Sequence, residues 1–398
     1  MIKLSHRIGQ VEPSPTLAIT ARAKELKAQG MDIVSFGAGE PDFDTPQLVV
    51  DAAVEALHSG KTRYTPASGL MELRQAIATS YASRGREIAA NQVIVTVGGK
   101  QALYNATQVI FDEGDRVLIP APYWVSYPAM LRLAGAEPAI IDTRAEDDFK
   151  LTASSLRAAL EAAPCRGLIL CSPSNPTGAT YSADELRELA AVLKDFPDVV
   201  VFYDAMYDEL YYEGEIAPDL VASAPELEER VITFNGFSKT YAMTGWRLGY
   251  AIGPVEVIAA MGTLQSQSTS NATSFAQYGA LAAFELDAAV LTERREAFAK
   301  RRDLIVGMLR AIDGVVCPEP TGAFYAFPDF SAYIGEGEGK FADDLALTQY
   351  LLEEAQVAVV PGSAFGYPGG LRLSYATSEA LIEEGVRRMH QALQRYSS

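Results

Sequence analysis

The sequence predicts an α/β fold, with one large domain built on a mainly parallel sheet and a second, smaller α+β domain. From about Pro46 to residue 290, short and nearly continuous apolar runs alternate with helical stretches. This alternation is typical of a parallel sheet that is covered by helices on both faces. A long charged helix, predicted over Leu291–Ile312, then ends the alternation. We therefore expect a large domain at 46–290, with 1–45 and 291–398 forming an N-terminal arm and the small domain.

The predicted strands are the clearest apolar runs of the large domain: Val93–Val97, Arg116–Ile119, Gly167–Cys171, Val199–Tyr203, Val231–Phe234 and Gly249–Ile252. Ahead of them, Ser14–Gly30 is predicted to be an extended arm followed by a helix that ends near Gly30. Ligands of open parallel sheets bind beyond the carboxyl ends of the strands. The residues that follow each run are therefore the candidates for a functional site.

Composition excludes several classes of protein. The chain has 398 residues, of which 48% are hydrophobic and 21% charged, so it can bury a large core and is not disordered. Its net charge of −18 disfavours nucleic acid and anionic membrane as partners. We see no apolar run long enough for a spanning helix and no secretory signal, and the three cysteines match no zinc spacing. We expect a cytoplasmic protein without a metal site.

The strand at Val93–Val97 runs into Gly98-Gly99-Lys100-Gln101 and a helix predicted at Ala102–Phe111. Free backbone N–H groups at a helix N-terminus can hold a phosphate group. The segment is neither a Walker motif nor a dinucleotide-binding loop, so an ordinary strand–helix turn is about equally compatible with it.

Two other strands end in ionisable residues. Asp204 follows Val199–Tyr203, with Tyr207 shortly after, and this carboxylate is either a helix N-cap or the partner of a buried cation. Lys239 lies in a turn of small residues after Val231–Phe234, and Arg247 follows eight residues later. A desolvated lysine near another cation is an amine nucleophile that can form a Schiff base, although most lysines after a strand are solvated.

Two further strand ends supply an amide and an aromatic ring. Asn175 stands between two prolines after Gly167–Cys171, and Trp124 follows Arg116–Ile119. Each could belong to a simple turn or to the core. Together, however, an imine-forming lysine, a carboxylate for a pyridinium nitrogen and phosphate donors match the requirements of pyridoxal phosphate.

With these residues the sequence resembles the class I aminotransferases, which belong to the fold-type I pyridoxal-phosphate enzymes. It looks closest to the bacterial aspartate and aspartate/prephenate aminotransferases. The segment Gly236–Lys239 through Gly249, the segment Ser172–Gly178, the pair Asp204 and Tyr207, and Arg372 in Arg-Leu-Ser-Tyr-Ala-Thr-Ser carry the resemblance, which covers essentially the whole chain. The family implies a homodimer whose two active sites lie at the interface.

The resemblance implies roles for the cofactor-binding residues. Lys239 would hold pyridoxal 5′-phosphate as a Schiff base and then shuttle a proton. Asp204 would keep the ring nitrogen protonated, Asn175 and Tyr207 would hydrogen-bond the phenolic oxygen, and Trp124 would stack on the ring.

The phosphate group would be held by Arg247, the Gly99–Lys100 backbone and Tyr64 from the other subunit. Some members of the family have serine where this chain has Gly236, so one phosphate hydroxyl is absent.

Substrate recognition is implied in the same way. Arg372 would clamp the α-carboxylate, Gly39 would offer a backbone N–H near it, and Phe324 would form an apolar wall. Trp124 and Asn175 would also contact the substrate. For the second carboxylate of aspartate we expect Lys100, helped by Ser14 and Thr16 of the arm. Alternatively, Lys100 points to solvent and the arm is only a lid.

The leading interpretation is therefore a ping-pong enzyme that moves an amino group between L-aspartate and 2-oxoglutarate, giving oxaloacetate and L-glutamate. Prephenate or other 2-oxo acids remain alternative acceptors. A pyridoxal-phosphate carbon–sulfur β-lyase is a less favoured alternative. A non-catalytic aminotransferase-like module of a transcription regulator is disfavoured, because Lys239 is intact and the chain has no spare length for a DNA-binding domain.

Overall fold

The computed structural model describes residues 2–13, 15–337 and 339–396, and it has the predicted α/β architecture. The strands are β1 (Val34–Ser35), β2 (Val93–Thr96), β3 (Arg116–Ala121), β4 (Glu137–Asp142), β5 (Gly167–Cys171), β6 (Val200–Asp204), β7 (Val231–Gly236), β8 (Gly249–Ile252), β9 (Tyr325–Ala326), β10 (Val357–Ala358), β11 (Val360–Pro361) and β12 (Leu371–Ser374).

The large sheet has seven strands in the order β2-β8-β7-β6-β5-β3-β4. Strand β8 runs antiparallel to both of its neighbours, and the other pairs are parallel. The sheet is therefore mainly parallel, as predicted. The carboxyl ends of β5, β6 and β7 meet at one edge, with Cys171 in register with Asp204, and Asp204 with Phe234.

Hydrophobic cores cover both faces of this sheet. In β5, Leu168 and Leu170 belong to one core, whereas Ile169 between them belongs to another. In β6, Tyr203 and Phe202 are divided between the same two cores. Because successive side chains of a strand point to opposite faces, a run that is apolar throughout must be buried on both sides.

The α-helices are α1 (Pro15–Ala28), α2 (Gln47–His58), α3 (Met71–Ser80), α4 (Gly98–Ile110), α5 (Ser126–Ala134), α6 (Ala153–Ala162), α7 (Ala183–Leu193), α8 (Leu220–Ser223), α9 (Val255–Ser266), α10 (Ser274–Ala282), α11 (Ala288–Arg310), α12 (Asp344–Glu354) and α13 (Glu379–Tyr396). Helix α11 confirms the predicted long charged helix, shifted by two or three residues. Helix α4, however, begins at Gly98 rather than at Ala102, so the two glycines form its first turn.

Strand β4 was not among the predicted strands. It lies at the edge of the sheet, its residues are exposed or only partly buried, and it contains Pro138. An edge strand is not covered on both faces and tolerates proline, so it lacks the continuous apolar run by which the other strands were recognised.

The C-terminal part forms a small α+β region. Strands β11, β12 and β9 make an antiparallel sheet, and β1 pairs in parallel with β10. One core joins Phe36 from the N-terminal part to Phe298 of α11, Leu373 of β12 and Met389 of α13. This shared core supports the grouping of 1–45 with 291–398, but the domain boundaries stay a prediction.

Within the described residues, no helix is long and apolar enough to cross a membrane. The same part of the chain contains no group of three or more His, Cys, Asp or Glu side chains that could hold a metal ion.

Candidate active site

A cavity of about 590 Å³ opens at the carboxyl ends of β5, β6 and β7, which is the size usual for small-molecule sites. Strand ends of the large sheet, the first turn of α4, the Gly37–Glu40 loop, helix α1 and strands β9 and β12 all contribute to its walls. The predicted site residues among its lining are Gly39, Gly99, Lys100, Trp124, Asn175, Asp204, Tyr207, Lys239, Arg247 and Arg372.

Lys239 lies in the turn after β7 and points into this cavity. Its Nζ donates a hydrogen bond of 2.5 Å to the Gly39 carbonyl oxygen. Burial, and next the positive charge of Arg372, lower the pKa of the Lys239 ammonium to about 8. A neutral amine is therefore accessible near physiological pH, which makes this lysine a competent nucleophile.

Asp204 is the last residue of β6 and is 5% exposed. Tyr127 donates a hydrogen bond of 2.6 Å to its Oδ2, and the Met206 N–H donates one of 3.2 Å to its Oδ1. Burial raises the pKa of Asp204 to about 6, although the Tyr127 hydrogen bond opposes this shift. No helix follows Asp204 before α8 at Leu220, so the N-cap alternative is wrong. The carboxylate is a buried charge that a cationic ligand would stabilise.

Arg372 and Asn175 are buried lining residues that are hydrogen-bonded to each other, and together with Asp204 they form what we call the cavity floor. Arg372 is 3% exposed, and its Nη1 donates to Asn175 Oδ1 at 3.1 Å while its Nη2 donates to the Gly37 carbonyl at 3.0 Å. Its Nε is buried without a hydrogen-bond partner among the described residues. Burial lowers the pKa of this guanidinium. A buried guanidinium with an unused donor is suited to bind a carboxylate.

The first turn of α4 and Arg247 form an anion-binding corner. Gly98 adopts a φ of 77°, and a Cβ there would overlap the Arg247 guanidinium, so the two groups are in close approach. The turn contains no acidic residue, and its free N–H groups lie at the positive end of the helix dipole. Arg247 is held by a 2.7 Å hydrogen bond from its Nη1 to the Thr244 carbonyl.

The absence of a hydroxyl at Gly236 has a steric reason. A Cβ at this position would lie 3.0 Å from the Cα of Gly249 and 3.1 Å from the Leu248 carbonyl oxygen. Strands β7 and β8 thus pack too closely here for a serine without a local shift. Ser238, which also lines the cavity, provides a hydroxyl nearby.

Lys100 and Trp124 lie at the cavity mouth. The Lys100 Nζ is 4.8 Å from the centroid of the Trp124 ring, a cation–π distance. Burial, and next the charge of Arg247, lower the pKa of Lys100. Lys100 thus lines the cavity and is at the same time exposed to solvent, so its role toward a second carboxylate stays a prediction.

Other predicted residues are not brought into the cavity wall. Phe324 is fully buried, where its ring stacks on Phe298 at 5.3 Å, and the next residue, Tyr325, lines the cavity instead. The Phe324 ring nevertheless lies 5.9 Å from the Lys239 Nζ, so its expected role as an apolar wall stays a prediction. Tyr64 is 90% exposed and lies outside the cavity of its own chain.

The predictions for the N-terminal arm stay untested. Ser14 lies outside the described residues, and Thr16 is described only as a backbone position in α1.

Several functional candidates were missed by sequence reasoning. Tyr127, Tyr325 and Ser238 line the cavity, as do Lys24 and Lys27 of α1. A signal for Tyr127 was its position three residues after Trp124, and the two rings are indeed in contact, with centroids 5.4 Å apart. The two lysines are ordinary exposed helix residues by pattern, and only the position of α1 over the cavity singles them out.

Comparison with known proteins agrees with this geometry. Residues 31–389 match the family "Aminotransferase class I and II". The chain is 47% identical to the aspartate/prephenate aminotransferase of Cereibacter sphaeroides, over 98% of each chain, and 44% identical to the aspartate aminotransferase of Bacillus subtilis, over 100% of each.

Solved structures give the same result. The chain is 42% identical to the aspartate aminotransferase of Rhizobium meliloti, with a TM-score of 0.94 over 99% of this chain and 100% of that one. The enzyme of Thermus thermophilus with maleate matches at 42% identity and a TM-score of 0.91, over 98% and 100% of the two chains. Sequence, fold and site geometry together show that this chain belongs to the class I and II aminotransferase family.

Proposed function

We propose that this protein is a pyridoxal-phosphate-dependent aminotransferase that moves an amino group between L-aspartate and 2-oxoglutarate, giving oxaloacetate and L-glutamate. The observation that carries the proposal is one cavity that holds an amine of lowered pKa, Lys239, together with the buried carboxylate of Asp204 and the anion-binding corner at Arg247.

The residues present fit pyridoxal 5′-phosphate, the cofactor of this family. Asp204 is a buried anion that still needs a cationic partner, which a protonated pyridine ring supplies. The corner formed by α4 and Arg247 suits a phosphate group. When bound, the cofactor supplies an electron sink for the bond that is broken at the substrate α-carbon.

The chain's own residues perform the remaining work. Lys239, whose amine now donates to the Gly39 carbonyl, would hold the cofactor, and the same amine would move the proton at the substrate α-carbon. Asp204, which accepts a hydrogen bond from Tyr127, would pair with the ring nitrogen, and Arg247 with the Gly99–Lys100 backbone would hold the phosphate.

Substrate orientation is assigned to the cavity floor. Arg372 binds the α-carboxylate through the guanidinium nitrogens that now contact Asn175 and Gly37. Gly39 contributes its backbone N–H nearby. Tyr207, whose hydroxyl is 2.9 Å from that of Tyr325, tunes the phenolic oxygen of the cofactor together with Asn175.

Selectivity for dicarboxylates is assigned to Lys100. A chain of net charge −18 repels dicarboxylates in general, so a local cation must attract the second carboxylate. Lys100 faces the cavity mouth, and Ser14 and Thr16 are proposed to assist it. The names of the relatives and the maleate in the Thermus structure support this substrate class, because maleate is a dicarboxylate. Prephenate, which also has a second carboxylate, is the second candidate acceptor, and the Cereibacter relative favours it.

We further propose that the protein acts as a homodimer in the cytoplasm, with domain boundaries near residues 46 and 290. Tyr64 is 90% exposed, and the preceding helix α2 leaves the apolar side chains of Leu48, Val54 and Leu57 half-exposed. A second copy would cover these side chains and bring its Tyr64 to the phosphate. The three cysteines are unpaired, as is usual in a reducing compartment.

Half-reaction kinetics test the proposal. Purified protein loaded with pyridoxal 5′-phosphate is mixed with aspartate, glutamate, tyrosine or cystathionine, and the change in cofactor absorbance and the release of 2-oxo acid are followed, with Lys239→Ala as the control. We expect fast conversion with aspartate and glutamate and none in the Lys239→Ala variant. Release of pyruvate from cystathionine faster than transamination of aspartate would instead identify a β-lyase. Borohydride trapping of the cofactor on any lysine but Lys239 would overturn the site.

A further inference from the structure

A cluster of buried charges lies next to the active site without lining its cavity. It contains Arg84, which follows α3, together with Asp208 and Glu209, which follow Tyr207. The Arg84 Nη2 lies 3.1 Å from Asp208 Oδ2 and 2.9 Å from Glu209 Oε1, and the side chains of Arg84 and Asp208 are 6% and 8% exposed. Ion pairs this deeply buried are costly to assemble, so they are weak evidence for stability alone.

Asp208 connects the two chain segments that carry the chemistry. Asn235 Nδ2 donates a hydrogen bond of 2.9 Å to the same Asp208 Oδ2 that accepts from Arg84. Asp208 is the residue after Tyr207, and Asn235 lies four residues before Lys239. The Asp208 carboxylate is therefore a cross-link between the loop of Tyr207 and the turn of Lys239.

The geometry of this cross-link is constrained on both sides. Asn235 Oδ1 accepts a 2.7 Å hydrogen bond from the Gly236 N–H, which sets which side of the amide faces Asp208. Arg84 is oriented by a 3.1 Å hydrogen bond from its Nη1 to the Ser80 carbonyl, and its guanidinium lies 4.7 Å from the Tyr81 ring centroid. Burial, and next the charge of Asp208, raise the pKa of the neighbouring Glu209 to about 7. Arg84 is the cation that pairs with Asp208, at the same carboxylate oxygen that accepts from Asn235.

We propose that Arg84, Asp208 and Asn235 form a positioning network that sets Lys239 relative to Tyr207, and so tunes the bond between the lysine and the cofactor. This inference rests on the proposed function, because it needs a cofactor on Lys239. None of the three side chains lines the cavity, so each acts through its neighbours and none is a catalytic residue.

The chain offers a matched control. Arg86 and Asp219 form a second buried ion pair, with 3.3 Å between Nη1 and Oδ2 and side chains 4% and 6% exposed. Asp219 caps α8, and Arg86 also donates a hydrogen bond to Thr233. This second pair therefore does not connect the loop of Tyr207 with the turn of Lys239. Loss of Asp219 should reproduce the stability cost of losing a buried carboxylate without affecting the position of the lysine.

The test compares Asp208→Ala, Asp208→Asn and Asn235→Ala with Asp219→Ala in the cofactor-loaded protein. The readouts are the thermal midpoint, the pH midpoint of cofactor absorbance in the absence of substrate, and kcat and KM for aspartate. We expect Asp208→Ala and Asp219→Ala to lose thermal stability alike. Only Asp208→Ala and Asn235→Ala should shift the absorbance midpoint, by about half a pH unit or more. The same two variants should also lower kcat about 10- to 100-fold with little change in KM. Asp208→Asn keeps a hydrogen-bond acceptor, so its absorbance midpoint and its kcat should lie close to those of the wild type.

Equal absorbance midpoints and kcat in the Asp208→Ala and Asp219→Ala proteins would show that the network is only structural. If Asp208→Ala does not fold, Asn235→Ala decides, since it removes the cross-link and leaves the ion pair in place. The absorbance titration needs no substrate. A wild-type protein that fails to convert aspartate would therefore refute the proposed function and leave the network open to its own test.

Discussion

The floor and the mouth of the cavity are built differently. On the floor, Asp204 and Arg372 are 5% and 3% exposed, and both are held by specific hydrogen bonds. At the mouth, Lys24, Lys27 and Lys100 are exposed and form no salt bridge with any described residue. Buried groups need exact partners because an unpaired buried charge is costly, whereas exposed groups do not. This difference suggests that the floor performs the chemistry common to all amino acids and that the mouth selects among them.

The largest effect is expected on the floor, at Asp204. Asp204→Ala removes the anion that keeps the ring nitrogen protonated, so kcat should fall by about 10²-fold or more for every amino donor. Single-turnover rates with aspartate and with a neutral amino acid measure this loss. Near-normal turnover, or a loss confined to aspartate, would contradict the division between floor and mouth.

A smaller and more selective effect is expected at the mouth. Lys100→Ala removes a charge-assisted hydrogen bond worth about 1.5–3 kcal/mol, so kcat/KM for aspartate and 2-oxoglutarate should fall roughly 10- to 150-fold. A neutral amino acid should be little affected. Arg372→Ala is the matched variant on the floor, and it should impair all donors alike because all share the α-carboxylate.

Cofactor affinity must be measured in the same Lys100→Ala protein, because Lys100 also lies in the first turn of α4. Equal losses for aspartate and for the neutral donor, with cofactor fully bound, would remove Lys100 as the ligand of the second carboxylate.

The smallest effect is expected at Tyr127, which donates a hydrogen bond to the Asp204 carboxylate. Tyr127→Phe deletes the 2.6 Å hydrogen bond to Asp204, and kcat should fall about tenfold. The hydrogen bond lowers the pKa of Asp204, so its loss should raise that pKa above the present value of about 6. When the pH is lowered, the Tyr127→Phe protein should therefore begin to lose cofactor affinity at a higher pH than the wild-type protein does. An unchanged pH dependence of cofactor binding would show that Tyr127 does not support the carboxylate.

Much of the floor could be predicted from sequence because its residues follow strands. Asn175 and Lys239 come after β5 and β7, Asp204 ends β6, and adjacent parallel strands bring their carboxyl ends to one edge. The choice between Phe324 and Tyr325 could not be made in this way. Both rings are fully buried, and they differ only in their contacts: Phe324 stacks on Phe298, whereas the Tyr325 hydroxyl lies 2.9 Å from that of Tyr207 in the cavity lining.

The sequence by itself determined the α/β class, the strands that are followed by site residues, and the residue types of the site. These depend on local periodicity and on side-chain chemistry. Tertiary structure alone decided the approach of Arg247 to the first turn of α4, the position of α1 over the cavity mouth, and the carboxylate of Asp208 between Arg84 and Asn235. Each of these joins residues far apart in the chain. Such contacts arise from the packing of whole elements, and no local pattern encodes their distances.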